Sequence, residues 1–392
     1  MLSESLFWIF LFTVFFTYAG YPVLLALLTI FKTQSRPRGF EEPPFVSLVI
    51  SAFNEEEVIR RKLGNSLGLD YPKDKLEILV VSDGSTDSTS DIVREYETRG
   101  IKLLQRNHRA GKTSIQNFSI HQTTGEIIVF SDANAIYEPE SLANLVQHFS
   151  NKSVGCVCGE LRYRSNDGSV ASDQENIYWE YEKFLKRKEN LFGTILGANG
   201  SIYAVRKSDY QPLSPNIISD FIEPLKIVEK GKRVVYEPTA ISIEDASQTF
   251  NEEFKRKKRI ILRSIYSLFA CRNLLNILKK PKLSFQLISH KIIRWAVPVF
   301  LIGIFITNLL LLGHPIYRIL FYAQLLFYFF ALTGFLFEQW KIKSTIFYMP
   351  FYFVLVNLAA LLAIVEFILG KNVVSWVPNR NHQNVEKREQ AV

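Results

Sequence analysis

No charged residue stands between Glu4 and Lys32. The run is built of Leu, Phe, Ile and Val, with Trp8 and Tyr21 towards its ends, and it exceeds the ~20 residues a helix needs to cross a bilayer. It has neither a basic start nor an Ala-x-Ala cleavage site, so residues 1–31 read as an uncleaved anchor and not a signal peptide. Lys32, Arg36 and Arg38 follow directly and place the next domain on the cytoplasmic side by the positive-inside tendency; the expected membrane is the plasma (inner) membrane. Residues 32–44 carry Arg, Gly and Pro and read as a linker. No Asp, Glu, Lys or Arg occurs between Arg294 and Arg318, between Arg318 and Glu338, or between Lys343 and Glu366. Three further spans are expected at 296–312, 318–337 and 345–367, inside a membrane region of 295–370. Lys341 and Lys343 put the middle connection inside. An odd count then leaves the tail, 371–392, outside with Lys371, Arg380, Lys387 and Arg388, against the same tendency, unless one segment is in-plane or re-entrant.

Hydrophobic residues make up 48% and aromatic residues 14%, yet 21% are charged, which fits a water-soluble domain joined to membrane segments and excludes a disordered chain. The net charge of +8 suits anionic lipid, a phosphorylated substrate or nucleic acid; of these, nucleic acid is not expected as a partner. Cys156, Cys158 and Cys271 are odd in number and argue for a reducing compartment. Cys156 and Cys158 lie in an apolar, strand-like run with no second Cys or His pair, so they read as structural thiols and not as a zinc site.

From Phe45 the pattern changes. Apolar strands at 46–51, 76–81, 101–104 and 127–130 alternate with helices at 54–68, from Asp87 to about 99, and about 111–122. Alternation of this kind predicts an α/β domain over 45–248, a mostly parallel sheet with flanking helices on both faces. Such sheets bind ligands beyond the carboxyl ends of their strands, where Asn54, Asp83 and Asp132 fall.

The strand ending at Phe130 runs into Asp132 and Asn134, an acid and an amide at i and i+2. Two oxygen ligands there can hold a divalent metal, Mg or Mn, against a diphosphate; the same residues also start ordinary turns. Asp83, in the turn Ser82-Asp83-Gly84-Ser85-Thr86-Asp87, suits a nucleoside, because a carboxylate accepts from ribose or base and the glycine admits close approach. Gly111-Lys112-Thr113 is similar to the end of a phosphate loop, but Arg106 stands where that motif needs its first glycine, which excludes an ATPase on this ground. Lys112 either assists phosphates or starts a helix. The loop with Asn199, Gly200 and Ser201 either faces a hydroxylated acceptor or simply leads into a strand at 202–205. Asp220 is a helix N-cap or a general base.

Residues 176–190 carry Tyr178, Trp179, Tyr181 and Phe184 among many charges, as a helix at a membrane surface or a protein seam would. Residues 249–294 read as basic interfacial helices. Arg256 and Arg259, at i and i+3, share a helix face and suit either a diphosphate clamp or anionic lipid. Glu366, near the end of a span, reads as interfacial.

Taken in order, these stretches resemble the family 2 glycosyltransferases in their membrane-anchored bacterial form. The opening motif resembles Ser51-Ala52-Phe53-Asn54-Glu55, and the nucleotide-binding acidic turn resembles 82–87. Asp132-Ala133-Asn134 matches the D-x-D metal motif with Asn in the second place, and Asp220 matches the second acid of an acidic pair whose first place holds Ser219. The Q-x-x-R-W motif falls on 256–260, where only Arg259 is retained; Arg256 and Ile260 replace Gln and Trp, which puts processive synthesis in doubt. The resemblance implies a GT-A-like fold and inverting transfer from a nucleotide-diphosphate sugar. Ala52, Asn54, Glu55, Asp83, Ser85, Lys112, Asp132, Arg256 and Arg259 would serve the donor, Asp132 and Asn134 the metal, and Asp220 would be the base. The expected acceptor is a glycan or lipid-linked molecule at the bilayer, with a homo-oligomer or export partner needed if a channel forms. A non-enzymatic nucleotide-binding membrane module is a competing reading, against which the retained Asp220 argues. A transporter is another; none of its few apolar segments carries a central charge or an internal repeat.

Overall fold

A computed structural model describes residues 1–34, 37–164, 170–245, 249–340, 342 and 344–371, without the side chains of 170–177. Arg36, Lys341, Lys343, Arg380, Lys387 and Arg388, used above for orientation, lie outside the described residues. The described chain forms two units: 33–164 with 189–245, and 1–32 with 170–188 and 249–371.

The first unit holds β1 (Val46–Ala52), β2 (Leu76–Asp83), β3 (Ile101–Arg106), β4 (Ile127–Asp132), β5 (Ile136–Tyr137), β6 (Val154–Arg164), β7 (Tyr203–Arg206) and β8 (Arg233–Asp245). They make one sheet in the order β3-β2-β1-β4-β7-β6-β8-β5. The first four strands are parallel, β7 is antiparallel to β4 and β6, β6 and β8 are parallel, and β5 is antiparallel to β8. The sheet is thus parallel on one side and mixed on the other, flanked by helices, in agreement with the expected α/β class.

Both faces are buried, which is why β1, β2 and β4 are nearly continuous apolar runs. Leu48 and Ile50 pack on one face with Ile59, Leu63, Val80 and Val129. Val49 packs on the other with Leu79, Val81, Ile128 and Phe130. Cys156 and Cys158 belong to this second cluster, consistent with the structural reading of both thiols. β1, β2 and β4 run on to Ala52, Asp83 and Asp132, so the polar residues read as turn starters are the last residues of strands. Pro238 lies within β8, and a proline cannot donate to a ladder. The strand continues through a register shift between Glu237 and Ile241 opposite Gly159 and Glu160, and the irregularity absorbs the proline.

In the second unit, four helices among the described residues are long and apolar enough to cross a membrane: Leu2–Leu28, Pro281–Leu310, Pro315–Gln339 and Thr345–Ile368. The second begins well before the expected 296, because Arg294 does not break it. That guanidinium pairs with Glu182 and lies 5.3–5.8 Å from the ring centroids of Tyr18, Tyr178 and Tyr181. Glu366 pairs with Lys258 at 3.0 Å. Helix Phe250–Ala270 buries Phe250, Glu253, Lys257, Ile261, Leu262, Ser264 and Leu268, the three-to-four spacing of an amphipathic face.

In the sheet unit, a Cβ on Gly125 would lie 2.5 Å from the Ser47 backbone nitrogen and 2.8 Å from the Val46 carbonyl carbon. Overpacking against backbone costs about 1–3 kcal/mol. Gly125→Ala should therefore lower the thermal midpoint of the purified protein while preserving its circular dichroism, and an unchanged midpoint would contradict this packing.

Candidate active site

The loops after β1 and β2 interlock. Asn54 has a φ of 51°, which among the described non-glycine residues is the one left-handed backbone, and Asn tolerates that region better than most. Its Oδ1 accepts from the Thr86 N–H at 2.8 Å, and its own N–H donates to Ser85 Oγ at 3.2 Å. The Glu55 N–H donates to Thr89 Oγ1 at 2.8 Å, and the Glu56 N–H to Asp87 Oδ2 at 3.1 Å. Asn54, Glu55 and Ser85 are thereby brought together, with Ala52 at the end of β1 beside them.

Asp83 is only 3% exposed. Its two oxygens accept from the Ala110 N–H at 2.9 Å and the Gly111 N–H at 2.7 Å, so the carboxylate shapes the next loop. Gly84, at φ 72°, permits this; a Cβ there would stand 2.9 Å from the Arg109 nitrogen. The Arg109 guanidinium covers the Phe53 ring at 3.8 Å. Sequence reasoning missed Arg109, having weighed residues 106–113 only as a phosphate loop.

Gly111, at φ 87°, caps helix Lys112–Ile120 and makes Lys112 its first residue. The Lys112 ammonium pairs with Asp132 and donates to the Gly200 carbonyl at 2.9 Å. A Cβ on Gly200 would stand 2.7 Å from Asp220 Oδ2 and 2.8 Å from Lys112 Nζ, so both charges reach the same side of that backbone. Burial opposes the Lys112 charge, but Asp132, Asp220 and Glu244 outweigh it and raise its pKa. Glu244 was given no role from the sequence; it is β8 that carries it here.

Asp220 lies in the first turn of helix Ser219–Glu229, whose N-cap is Ile218; Asp220 is therefore not the cap. Its carbonyl accepts from the Ala198 N–H at 2.7 Å, laying the 196–201 loop along the helix start. Of the three residues expected to face an acceptor, only Gly200 reaches the cluster. Asn199 is buried and its Nδ2 donates to the Gly159 carbonyl at 2.6 Å, while buried Ser201 accepts at its carbonyl from Tyr137 Oη at 2.8 Å. The fold claims the Asn199 amide and buries Ser201, which a sequence motif does not reveal.

Asp132 and Asn134 are partly exposed, whereas Ala133 and Ala135 between and after them are buried. The alternation turns the carboxylate and the amide to the open side. Their oxygens suit a hard divalent cation. Among the described residues no group of three His, Cys, Asp or Glu could hold a metal, so such a cation needs ligand oxygens from elsewhere. Arg256 and Arg259 belong to helix Phe250–Ala270 of the other unit, where Arg256 pairs with buried Glu253.

Residues 47–213 match the family described as Glycosyl transferase family 2. The "Probable glycosyltransferase YdaM" of Bacillus subtilis is 29% identical over 235 residues, 56% of this chain and 55% of that protein, so the chain spans about half the length of this relative. A poly-beta-1,6-N-acetyl-D-glucosamine synthase of Staphylococcus epidermidis is 23% identical over 302 residues, 74% of this chain and 71% of that one. Among solved structures, a mannosyltransferase from Pyrobaculum calidifontis, in complex with GDP-Man and Mn2+, is similar with a TM-score of 0.66 at 20% identity, covering 91% of this chain and 99% of that one. That likeness establishes a GT-A-like fold.

One turn beyond Asp220, Glu223 is 1% exposed and accepts from Tyr203 Oη at 3.0 Å. Burial pushes its carboxyl well above the ordinary carboxylate range against the pull of the tyrosine, and Asp220 pushes it further. A carboxyl raised on folding stabilises the fold below its unfolded pKa of about 4.3, and that contribution is lost as pH rises through the folded value. Glu223→Gln should match the wild-type thermal midpoint in acid and exceed it increasingly as pH rises above about 4.3, where the unfolded carboxyl ionises; parallel midpoint-versus-pH curves would contradict a buried neutral carboxyl.

Proposed function

We propose, from the match of residues 47–213 to Glycosyl transferase family 2, that the chain moves a sugar, with inversion, from a nucleotide-diphosphate sugar to a membrane-associated acceptor. The observation that carries this reading is the meeting of Asp220 and Lys112 on one side of Gly200, with Lys112 paired to Asp132. One group can take a proton where another meets a diphosphate.

Asp220 is the base: it takes the proton from an acceptor hydroxyl as that oxygen bonds to the anomeric carbon. The bond from that carbon to the diphosphate oxygen breaks on the opposite face, and the electron pair leaves with the nucleoside diphosphate. A single base suffices because inversion needs no covalent intermediate. Asp132 and Asn134 would hold a divalent cation, Mg or Mn, whose positive charge would offset the negative charge developing on the leaving group. Lys112 adds a fixed positive charge beside them. Asn54, Glu55 and Ser85 form the nucleoside end. Asp83 supports it through the 110–111 amides it holds and the acceptor capacity its oxygens retain.

The donor is proposed to be a UDP-sugar carrying a hexosyl or N-acetylhexosaminyl group. The acceptor is proposed to be a glycan or a lipid-linked molecule at the cytoplasmic face of the plasma membrane; the four apolar helices support a place at a membrane. A processive synthase is the second reading, favoured by the similarity to a poly-beta-1,6-N-acetyl-D-glucosamine synthase over 74% of the chain. Arg256 and Ile260 speak for single transfer, since they replace residues that the resemblance associates with holding a polymer.

Asp220→Asn, in lipid discs, should keep nucleotide binding and lose transfer by about 10²–10⁴-fold, the usual worth of a general base. Transfer at the wild-type rate would sink the assignment of Asp220.

A further inference from the structure

Helix Glu56–Leu67 buries a lysine: Lys62 is 0% exposed. A buried ammonium is costly unless it is bonded. Lys62 Nζ donates to the Ala135 carbonyl at 2.6 Å and lies 3.9 Å from the centroid of the Tyr137 ring. Three residues on, and so on the same helix face, Asn65 grips the same segment twice. Its Nδ2 donates to the Tyr137 carbonyl at 2.8 Å, and its Oδ1 accepts from the Tyr137 N–H at 2.9 Å.

The gripped segment follows Asp132 and Asn134 directly. It also reaches across the site, because Tyr137 Oη donates to the Ser201 carbonyl at 2.8 Å, next to Gly200. The neighbours of Lys62 on this face of the sheet, Ile59 and Leu63, are apolar core residues, so packing alone calls for an aliphatic side chain here. Burial lowers the Lys62 pKa to about 7, while Asp132 and Glu244 pull the other way.

Resting on the transferase reading above, we propose that Lys62 and Asn65 are positioning residues for the metal–diphosphate end of the site. From beneath the turn they hold 132–137 in the shape that presents Asp132 and Asn134 to the donor. Outer partners that orient metal ligands are commonly worth about 10–100-fold in metal affinity.

The test uses the full chain in lipid discs, with Lys62→Met, Lys62→Arg, Asn65→Ala and, as a core control on the same helix, Leu63→Ala. Amide exchange over 131–137 and Mn2+ affinity in the presence of UDP or GDP, by manganese electron paramagnetic resonance, are read in parallel. Lys62→Met and Asn65→Ala should speed exchange there and weaken Mn2+ binding about tenfold or more, with Lys62→Arg recovering part of the loss. Leu63→Ala should lower the thermal midpoint and leave Mn2+ affinity unchanged. Wild-type Mn2+ affinity in Lys62→Met and Asn65→Ala, whatever their stability, overturns the proposal. If the wild type binds Mn2+ and nucleotide but transfers no sugar, the transferase reading fails, while weakened binding in the variants still supports the positioning role.

Discussion

One ammonium set among carboxylates organises the site. Asp132, Asp220 and Glu244 all act on Lys112, and without a cation between them their like charges would disfavour one another. The fold assembles this group from distant parts of the chain. β4 ends on Asp132, and the helix after β3 begins on Lys112. The loop before β7 brings Gly200 against both Lys112 and Asp220, and β8 carries Glu244. Gly200 is the geometric condition for the meeting, since any side chain there would occupy the space that the two charges share.

The parts of this site readable in the sequence were those written locally. An apolar strand that runs into an acid announces a strand end, which is how Asp83 and Asp132 were found, and a parallel sheet gathers such ends on one edge. What stayed hidden depends on partners remote in sequence. Lys112 at a helix start has the same local pattern whether or not Asp132 lies opposite. Lys62 and Glu223 look like ordinary polar positions of amphipathic helices until the fold buries them. Asn199 and Ser201 have the composition of a ligand loop, yet the fold buries both, with the Asn199 amide on β6 and the Ser201 carbonyl on Tyr137. Pro238 would ordinarily interrupt a strand, and here a register shift within β8 accommodates it.

The helical unit obeys the same rule that buried charge must be partnered. Arg294 stands within an apolar helix because Glu182 and three tyrosines receive it. Glu253 is buried beneath Arg256 and Lys257 and accepts from Tyr352 Oη at 3.1 Å. Charge counting along the sequence places helix ends at such residues and so draws the spans too short. It also treats Arg256 as free for a ligand, whereas the fold has already given it a carboxylate partner.

The central claim is that this edge of the sheet cleaves a nucleotide-diphosphate sugar. The most direct measurement is nucleoside-diphosphate release by the full chain in lipid discs, with membrane lipid extract as the source of acceptor. A panel of UDP- and GDP-sugars is offered with Mg or Mn, and again with chelator. The account expects release from one donor class, abolished by chelation. No release from any donor, in a preparation shown to bind nucleotide and metal, would contradict it and leave a nucleotide-binding membrane module in its place.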